Sequence, residues 1–246
     1  MKIGNCLPSE TGALGGGDPS ADDVIEMAKL SEEVGFGSVW LVDHFLYDAG
    51  AEMAALGAGP PPELMGVLYG AWEVLTMAAG IATVTKNVDI GTLVANTGYR
   101  NPALLARMSE TIDALSAGRF ICGLGAGDFR SEHEFYGYPW EKRIGRFEEA
   151  LQIIKPMLHG ESVSFDGVHY QTREAQLIPK GPRSEGPPIM IGLLQGGPRM
   201  KRLVVQYADI WNCWLASTDS HPDAYREPLG AMMAACEKHG RDPNTL

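Results

Sequence analysis

The dipeptide Asp43-His44 is the pair of residues in this 246-residue chain whose types and position first suggest chemistry. It follows the apolar run 38–42, and the lack of polar alternation in that run predicts a parallel strand buried on both faces. The carboxyl ends of such strands are where α/β barrels carry their functional groups. Asp43-His44 is therefore a candidate site. The alternative is an aspartate that caps the next helix, beside a histidine that binds only backbone.

Polar residues also follow three other predicted strands. These segments are 96–100 after the third strand, 125–128 after the fourth and Gly196-Gly197 after the fifth. Because the carboxyl ends of parallel strands meet at one edge of a sheet, the four segments would lie close together. Each segment taken alone has an alternative interpretation as an ordinary loop. Together they favour one site at this edge.

Glycines alternate at Gly123, Gly125 and Gly127. The spacing is not the dinucleotide-binding fingerprint, because no G-x-x-G step opens a helix, and a nicotinamide site is therefore disfavoured. Glycines at a strand end allow a flat ligand to approach the backbone, and we expect one here. The alternative is close packing of a helix against this strand.

A different mechanism applies to Gly196-Gly197-Pro198, which precedes a predicted helix. Free backbone N–H groups and the positive end of the helix dipole form an anion site, and Arg199, Lys201 and Arg202 add positive charge. A phosphate is the natural ligand. The alternative is a plain glycine turn followed by a solvated basic face.

The His, Asp and Glu residues show no strong metal pattern. Glu132-His133-Glu134 is contiguous, so its side chains are expected to point in different directions and to hold no metal. The chain also lacks the G-x-S-x-G nucleophile motif of many hydrolases.

The elements that must position these residues follow a strict strand-helix alternation. Ser20 is predicted to cap the first helix, Asn101 with Pro102 to begin a later one, and a helix over 141–158 to kink or end early at Pro156. Two insertions are expected, an entrance or lid loop over 48–70 and a small hairpin over 162–170 with Asp166-Gly167 at its turn. Core strands are predicted at 2–7, 38–42, 88–95, 120–124, 188–194 and 209–215. The alternation indicates a parallel sheet, either a barrel or a doubly wound sheet, and six strands are two fewer than a closed eight-stranded barrel needs.

Composition narrows the class of protein. The absence of a Pro/Ser-rich or charged linker predicts one domain over 1–246, and the net charge of −11 argues against nucleic acid and anionic membranes as partners. No apolar segment is long enough for a signal peptide or a membrane span. The four cysteines form no C-x-x-C pair, which is typical of reduced thiols in a cytoplasmic protein.

An ordered series of segments covers most of the chain. The segments are Gly35-Phe36-Gly37-Ser38-Val39-Trp40-Leu41-Val42-Asp43-His44, Ile90-Gly91-Thr92-Leu93-Val94, Tyr99-Arg100-Asn101-Pro102-Ala103-Leu104-Leu105-Ala106, Ser116-Ala117-Gly118-Arg119-Phe120, Gly123-Leu124-Gly125-Ala126-Gly127, Arg146-Phe147-Glu148-Glu149-Ala150-Leu151, Pro187-Pro188-Ile189 and Tyr207-Ala208-Asp209-Ile210-Trp211-Asn212. In residue types and order this series resembles the luciferase-like oxidoreductases, a family that uses FMN or the deazaflavin coenzyme F420.

This resemblance implies a TIM-type (β/α)8 barrel, here lacking its last two βα units, with a flavin or deazaflavin ring across the mouth. It implies proton transfer or substrate polarisation at His44 and a catalytic carboxylate at Asp128. It also implies a non-proline cis peptide at Leu93-Val94 that braces the ring. The cofactor-binding positions that it implies are Asp43, Leu93, Val94, Asn96, Ala126, Gly127, Gly196 and Gly197.

The segment Tyr99-Arg100-Asn101-Pro102 favours F420 over FMN, and with it hydride transfer to or from a small organic substrate. With FMN the reaction would be an oxygen-dependent monooxygenation, supplied with reduced flavin by a partner reductase. A homodimer is expected in either case. Two other interpretations stay open: a truncated, non-catalytic flavin-binding protein, and an unrelated barrel that binds sugar phosphates. Where some F420 enzymes have a tryptophan this chain continues Phe45-Leu46-Tyr47-Asp48, so the substrate cannot be inferred.

Overall fold

A computed structural model describes residues 2–12, 17–55, 59, 62–193, 196–213 and 221–246. The strands are β1 (Gly4–Cys6), β2 (Ser38–Leu41), β3 (Tyr47–Asp48), β4 (Leu68–Tyr69), β5 (Asp89–Thr92), β6 (Ala95–Asn96), β7 (Phe120–Gly125), β8 (Val163–Asp166), β9 (Gln171–Ala175), β10 (Ile189–Gly192) and β11 (Ile210–Asn212). The α-helices are α1 (Ala21–Glu33), α2 (Ala49–Ala55), α3 (Val74–Val84), α4 (Pro102–Leu115), α5 (Arg130–Tyr136), α6 (Arg143–Leu158), α7 (Pro198–Tyr207) and α8 (Arg226–Lys238). None of the helices in these ranges is long and apolar enough to cross a membrane.

The main sheet is parallel, in the order β1-β2-β5-β7-β10-β11, and β6 also pairs with β7. Its neighbours follow chain order, with registers such as Gly4 opposite Ser38 and Met190 opposite Ile210. Consecutive parallel strands joined by helices give the curled sheet of a (β/α)8 barrel. The fold class predicted from the sequence is confirmed, and the described part of the chain supplies six of the parallel strand positions of such a barrel.

Local sequence signals explain where the helices begin. Ser20 and Asp23 form a reciprocal capping box at the start of α1. Asn101 accepts hydrogen bonds from the backbone of Ala103 and Leu104, and Pro102 occupies the first turn of α4, where a missing N–H costs nothing. Both predicted helix starts are confirmed.

The hydrophobic core lies between the sheet and its outer helices. Its largest fully buried side chains include Phe120, Leu124 and Ile90 from the strands and Phe147 and Leu151 from α6. Strands that are buried on both faces explain the continuous apolar runs in the sequence. The functional groups are thereby confined to the strand ends.

Arg119 ties the end of α3 to the start of β5. Its guanidinium donates to the carbonyl oxygens of Ala82, Thr85 and Val88 at 3.2, 2.9 and 2.5 Å and to the Thr85 hydroxyl at 3.1 Å. These carbonyls belong to a helix end and a turn that have no partner within the helix. Arg119 therefore fixes the connection that leads into β5.

Two predicted element bounds were wrong for physical reasons. Pro156 does not end the 141–158 helix early, since α6 continues to Leu158. The proline lies in the last turn, where only one backbone hydrogen bond is lost, and Met157 and Leu158 beyond it are buried. The strand predicted over 88–95 is divided into β5 and β6 by the Leu93-Val94 step.

The two insertions contain more regular structure than expected. The 48–70 segment includes α2 and a 3-10 helix at Pro62–Leu64, and its ends are closed by the antiparallel pair β3-β4. The hairpin predicted over 162–170 extends to Ala175, and four residues at 167–170 connect its strands in place of an Asp166-Gly167 turn. The predicted ends of the fifth and sixth core strands fall partly on 194 and on 214–215, outside the described residues.

Candidate active site

Asp43 lies just beyond the end of β2, and its buried carboxylate accepts three hydrogen bonds from other protein groups. Its Oδ2 accepts hydrogen bonds from Arg100 Nη1 at 2.6 Å and from the backbone of Asn96 at 2.8 Å, and its Oδ1 accepts from Arg100 Nη2 at 2.9 Å. Arg100 also pairs with Glu73 at the start of α3. Asp43 therefore joins β2 to β6, and its predicted contact with a cofactor stays a prediction.

The peptide bond between Leu93 and Val94 is cis, which confirms the cis step expected from the family resemblance. The amide of Leu93 donates to the Leu41 carbonyl at 2.7 Å, so this segment remains attached to β2. Both residues are half-buried at the carboxyl edge. Their predicted contact with a cofactor ring is not tested by these contacts.

The alternating glycines of β7 accommodate the neighbouring strand, which corrects the expectation that they leave room for a ligand. A Cβ at Gly123 would collide with the Thr92 carbonyl, one at Gly125 with the Val94 side chain, and one at Gly127 with the Asn96 amide. Protein atoms therefore fill the spaces that the missing side chains leave; most come from the segment 92–96, and His133 of α5 also lies within 2.9 Å of a Cβ at Gly127. The glycines serve the site indirectly, by letting the segment 92–96 lie against β7.

Asn96 is buried at the end of β6, and both the oxygen and the nitrogen of its side-chain amide are hydrogen-bonded. Its Oδ1 accepts from the backbone of Gly98 at 2.8 Å, and its Nδ2 donates to Nε2 of His133 at 3.3 Å. Burial lowers the pKa of His133, which suits a neutral ring that accepts this hydrogen bond. His133 thus orients Asn96 from α5.

His44 lies at the same edge with about a fifth of its side chain exposed. Its Nδ1 lies 3.2 Å from Oε2 of Glu132, and its ring stacks on Phe129 with centroids 4.6 Å apart. Burial lowers the pKa of His44, but the hydrogen bond and charge of Glu132, with the charges of Asp128 and Glu10, outweigh it and raise that pKa to about 9. At neutral pH His44 is a cation that can donate a proton.

Three further residues complete the wall beside His44. The Tyr47 ring lies 5.2 Å from the His44 ring, and the Tyr47 hydroxyl donates to Glu10 at 2.6 Å. Glu10 follows β1, so the first strand also contributes to this edge. Asp128 is exposed after β7, close enough to influence the charge of His44.

The short helix α5 is attached to the 48–70 insertion at the residue before Glu132. Glu52 of α2 is buried and accepts hydrogen bonds from the backbone of Ser131 at 2.9 Å and from its hydroxyl at 2.5 Å. A carboxylate in this position satisfies N–H groups in the first turn of a helix.

Gly197 caps α7 as predicted, and a basic groove opens beside it. The groove has a volume of about 650 Å³ and is lined by Lys142, Arg143, Ile144, Gly145, Glu148, Glu149, Gln152, Val168, His169 and Arg199. Arg143 also donates to the Gly127 carbonyl at 3.1 Å, which places the groove next to the end of β7. Glu148 pairs with Arg199 and Arg202 and offsets part of the positive charge expected there. Gly196 and Gly197 remain candidates for an anion contact.

Sequence reasoning missed Glu132, Glu10 and Tyr47. Glu132 and His133 were expected to diverge, yet both are buried and face the site, one toward His44 and the other toward Asn96. Adjacent residues on a helix are about 100° apart, so a helix over 130–136 can present both to one concave edge. If a helix over 130–136 is predicted with Glu134 on its exposed face, Glu132 and His133 fall on the buried side. Among the described residues no group of three or more His, Cys, Asp or Glu side chains forms a metal site.

Comparison with known proteins assigns the family. The family model described as luciferase-like monooxygenase matches residues 1–246. The chain belongs to the luciferase-like family. It is 31% identical over 221 residues to the phthiodiolone/phenolphthiodiolone dimycocerosates ketoreductase of Mycobacterium tuberculosis, covering 87% of this chain and 55% of the relative. It is 29% identical over 198 residues to the F420-dependent glucose-6-phosphate dehydrogenase of Amycolatopsis mediterranei, covering 78% and 53%. This luciferase-like chain spans about half the length of the curated relatives that it matches.

Solved structures with a similar fold support the fold described above. An F420-dependent secondary alcohol dehydrogenase in complex with an F420-acetone adduct superposes with a TM-score of 0.78 at 21% identity, over 100% of this chain and 67% of the other. The oxygenating constituent of 3,6-diketocamphane monooxygenase from Pseudomonas putida, in complex with FMN, gives 0.71 at 17% identity, over 99% and 64%. At these identities the likeness concerns the fold alone.

The edge just described fits a flat cofactor with an anionic tail. The half-buried Leu93-Val94 step and the partly exposed His44 ring lie on the mouth side of the sheet, and the basic groove lies beside Gly127 and Gly197. A ring and a phosphate therefore both find suitable residues on this chain.

Proposed function

We propose that this chain is the barrel of an F420-dependent oxidoreductase that moves a hydride to or from a small organic substrate. The observation that carries the proposal is the position of His44 after β2, where Nδ1 lies 3.2 Å from Glu132 and the carboxylate raises the pKa of the ring to about 9. Relatives named as an F420-dependent dehydrogenase and as a ketoreductase support the same class of reaction.

The cofactor would lie along Leu93 and Val94, with its tail toward Gly196 and Gly197. Asn96, Ala126 and Gly127 are proposed contacts from β6 and the end of β7, and Asp43 supports them through the Asn96 backbone. When bound, the deazaflavin supplies the hydride chemistry.

His44 is proposed to exchange a proton with the substrate oxygen, because a donor must lie within hydrogen-bond reach and hold a proton at working pH. Asp128, exposed at the end of the β7 loop, is proposed as the second acid or base. The wall formed by Tyr47 and Phe129 excludes water from the side of the His44 ring that it covers.

FMN-dependent monooxygenation is the second candidate, favoured by the FMN-bound monooxygenase of similar fold. It would require a reductase partner to supply reduced flavin. A homodimer and a cytoplasmic location complete the proposal. The acidic composition and the cysteines, all of them free, accord with that location.

The test is a titration of the purified protein with F420 and with FMN, followed by absorbance and fluorescence. We expect F420 to bind more tightly, and tight FMN binding without F420 binding would overturn the preference. The variant His44→Ala should bind cofactor as before and turn over at least about 100-fold more slowly in assays with secondary alcohols or small ketones. Full activity would remove His44 from the mechanism.

A further inference from the structure

Glu132 has a more specific task than the other buried acids of this chain. Its side chain is almost fully buried, and three donors from two separate segments converge on it. Oε1 accepts from the backbone of Phe45 at 2.7 Å, while Oε2 accepts from the Tyr99 hydroxyl at 2.8 Å and from Nδ1 of His44 at 3.2 Å. A buried carboxylate persists only where such donors satisfy it.

The arrangement selects which nitrogen of His44 is available. A carboxylate oxygen accepts and does not donate, so Nδ1 must carry a proton toward Glu132. No hydrogen bond joins Nε2 to any of the described residues. Nε2 is therefore the atom that can meet a substrate, and the Phe129 stack holds the ring plane.

The surroundings of His44 also set its charge. Three acids from other parts of the fold influence this charge: Glu132 on α5, Asp128 after β7 and Glu10 after β1. Tyr47 on β3 packs on the His44 ring. All three acids favour the cation, and Glu132 alone is in contact with the ring. Burial without Glu132 would favour the neutral ring.

We propose that Glu132 is a positioning residue that keeps His44 doubly protonated with Nε2 directed to the substrate, and that it thereby sets the site for carbonyl reduction. This inference rests on the proposed function. In the step it describes, the carbonyl carbon receives a hydride from the reduced deazaflavin and the carbonyl oxygen receives the Nε2 proton. The deazaflavin would be left oxidised, the carbonyl would become an alcohol, and His44 would be neutral, with Nδ1 still carrying the proton that it donates to Glu132.

The first measurement needs no cofactor. The ring nitrogens and the Cε1 proton of His44 are followed by NMR as pH is varied, with the signal assigned by its loss in His44→Gln. Wild-type protein should show both nitrogens protonated at pH 7 and a titration near pH 9. In Glu132→Gln the titration should move to the ordinary value near 6.5 or below, because burial is then opposed only by the distant Asp128 and Glu10. Glu134→Gln, on the exposed face of the same helix, should titrate like wild type.

Several outcomes overturn the inference. A neutral His44 in wild-type protein at pH 7 does so even if Glu132→Gln fails to fold, and so does an unchanged titration in a folded Glu132→Gln. Glu132→Asp, which keeps the carboxylate, should recover most of the high titration point, and failure to do so would assign the effect to packing.

A second measurement addresses the reaction. With reduced F420 and a small ketone, kcat/KM of the wild type should fall only above about pH 9. In Glu132→Gln, kcat/KM at pH 8 should already be about 30-fold lower than in wild type. The reason is that a group that titrates near 6.5 is a cation in only about one molecule in 30 at that pH. If F420 does not bind, the proposed function fails while the NMR result still decides the role of Glu132. If F420 binds and the two pH profiles coincide, the role assigned to Glu132 fails alone.

Discussion

Asp43 binds Arg100 through both carboxylate oxygens, at 2.6 and 2.9 Å, across the gap between the end of β2 and the loop after β6. The Asp43 side chain is fully buried and that of Arg100 nearly so. Buried pairs of this kind contribute geometry more than net stability, but the loss of one partner leaves an uncompensated charge.

Asp43→Asn should therefore lower the free energy of unfolding by about 3 kcal/mol or more. Chemical denaturation monitored by circular dichroism measures the change. Asp89→Asn is the matched control, because Asp89 pairs with the exposed Lys2 and should cost less than about 1 kcal/mol. Equal effects at the two sites would contradict the role of burial.

Gly123→Ala should destabilise the protein by at least about 2 kcal/mol, because the new Cβ would collide with the Thr92 carbonyl. The measurement is again the free energy of unfolding in urea. Gly80→Ala provides the control: Gly80 lies inside α3 with open space at its Cβ, and alanine there should stabilise by about 0.5 to 1 kcal/mol. A neutral Gly123→Ala would mean that β5 can shift away from β7 at little cost.

The raised pKa of His44 predicts a pH-dependent stability. A histidine bound more strongly as a cation in the folded state contributes stability fully below its unfolded pKa near 6.5, and this contribution is lost as pH rises to the folded value of about 9. The difference in unfolding free energy between wild type and His44→Ala should thus decrease by about 1 to 3 kcal/mol from pH 6.5 to pH 9. A difference that stays constant over this range would show that His44 is not a cation.

Arg119→Lys should cost about 2 kcal/mol, since an ammonium cannot donate at once to the carbonyls that Arg119 joins at the end of α3 and the start of β5. Thermal unfolding measures the loss. Arg130→Lys is the comparison, because Arg130 is exposed and its ion pair among the described residues is with Glu134, so the melting temperature of this variant should stay within about 1 °C of wild type. Similar decreases in melting temperature for the two variants would argue against a role specific to the guanidinium group of Arg119.

The parallel sheet, the helix starts and the strand-end location of Asp43 and His44 were predictable, because each follows from local patterns and from the geometry of parallel strands. The cis Leu93-Val94 step was predicted from family resemblance alone. Neither strand pairing nor a run of apolar residues in a sequence indicates that a peptide bond is cis.

The contacts across long sequence distances could not be predicted. Glu132 reaches His44 over 88 positions, and the alternating glycines meet residues about 31 positions away. These contacts depend on how neighbouring elements are placed in space, which periodicity does not encode. Glu132 was missed for this reason, and the glycines were assigned to a ligand although protein atoms fill the space at their Cβ positions.

The match between β7 and the segment 92–96 has a consequence for varying this protein by mutation. Residues 123, 125 and 127 each leave room for one residue of the adjoining segment, namely Thr92, Val94 and Asn96. A side chain at 125 needs a smaller residue at 94, whereas a side chain at 123 meets the Thr92 backbone carbonyl, which no substitution at 92 removes. Libraries that diversify these positions will yield folded variants mainly when 94 and 125 are varied as a pair and Gly123 and Gly127 are kept, since Gly127 also has a positive φ of 81°.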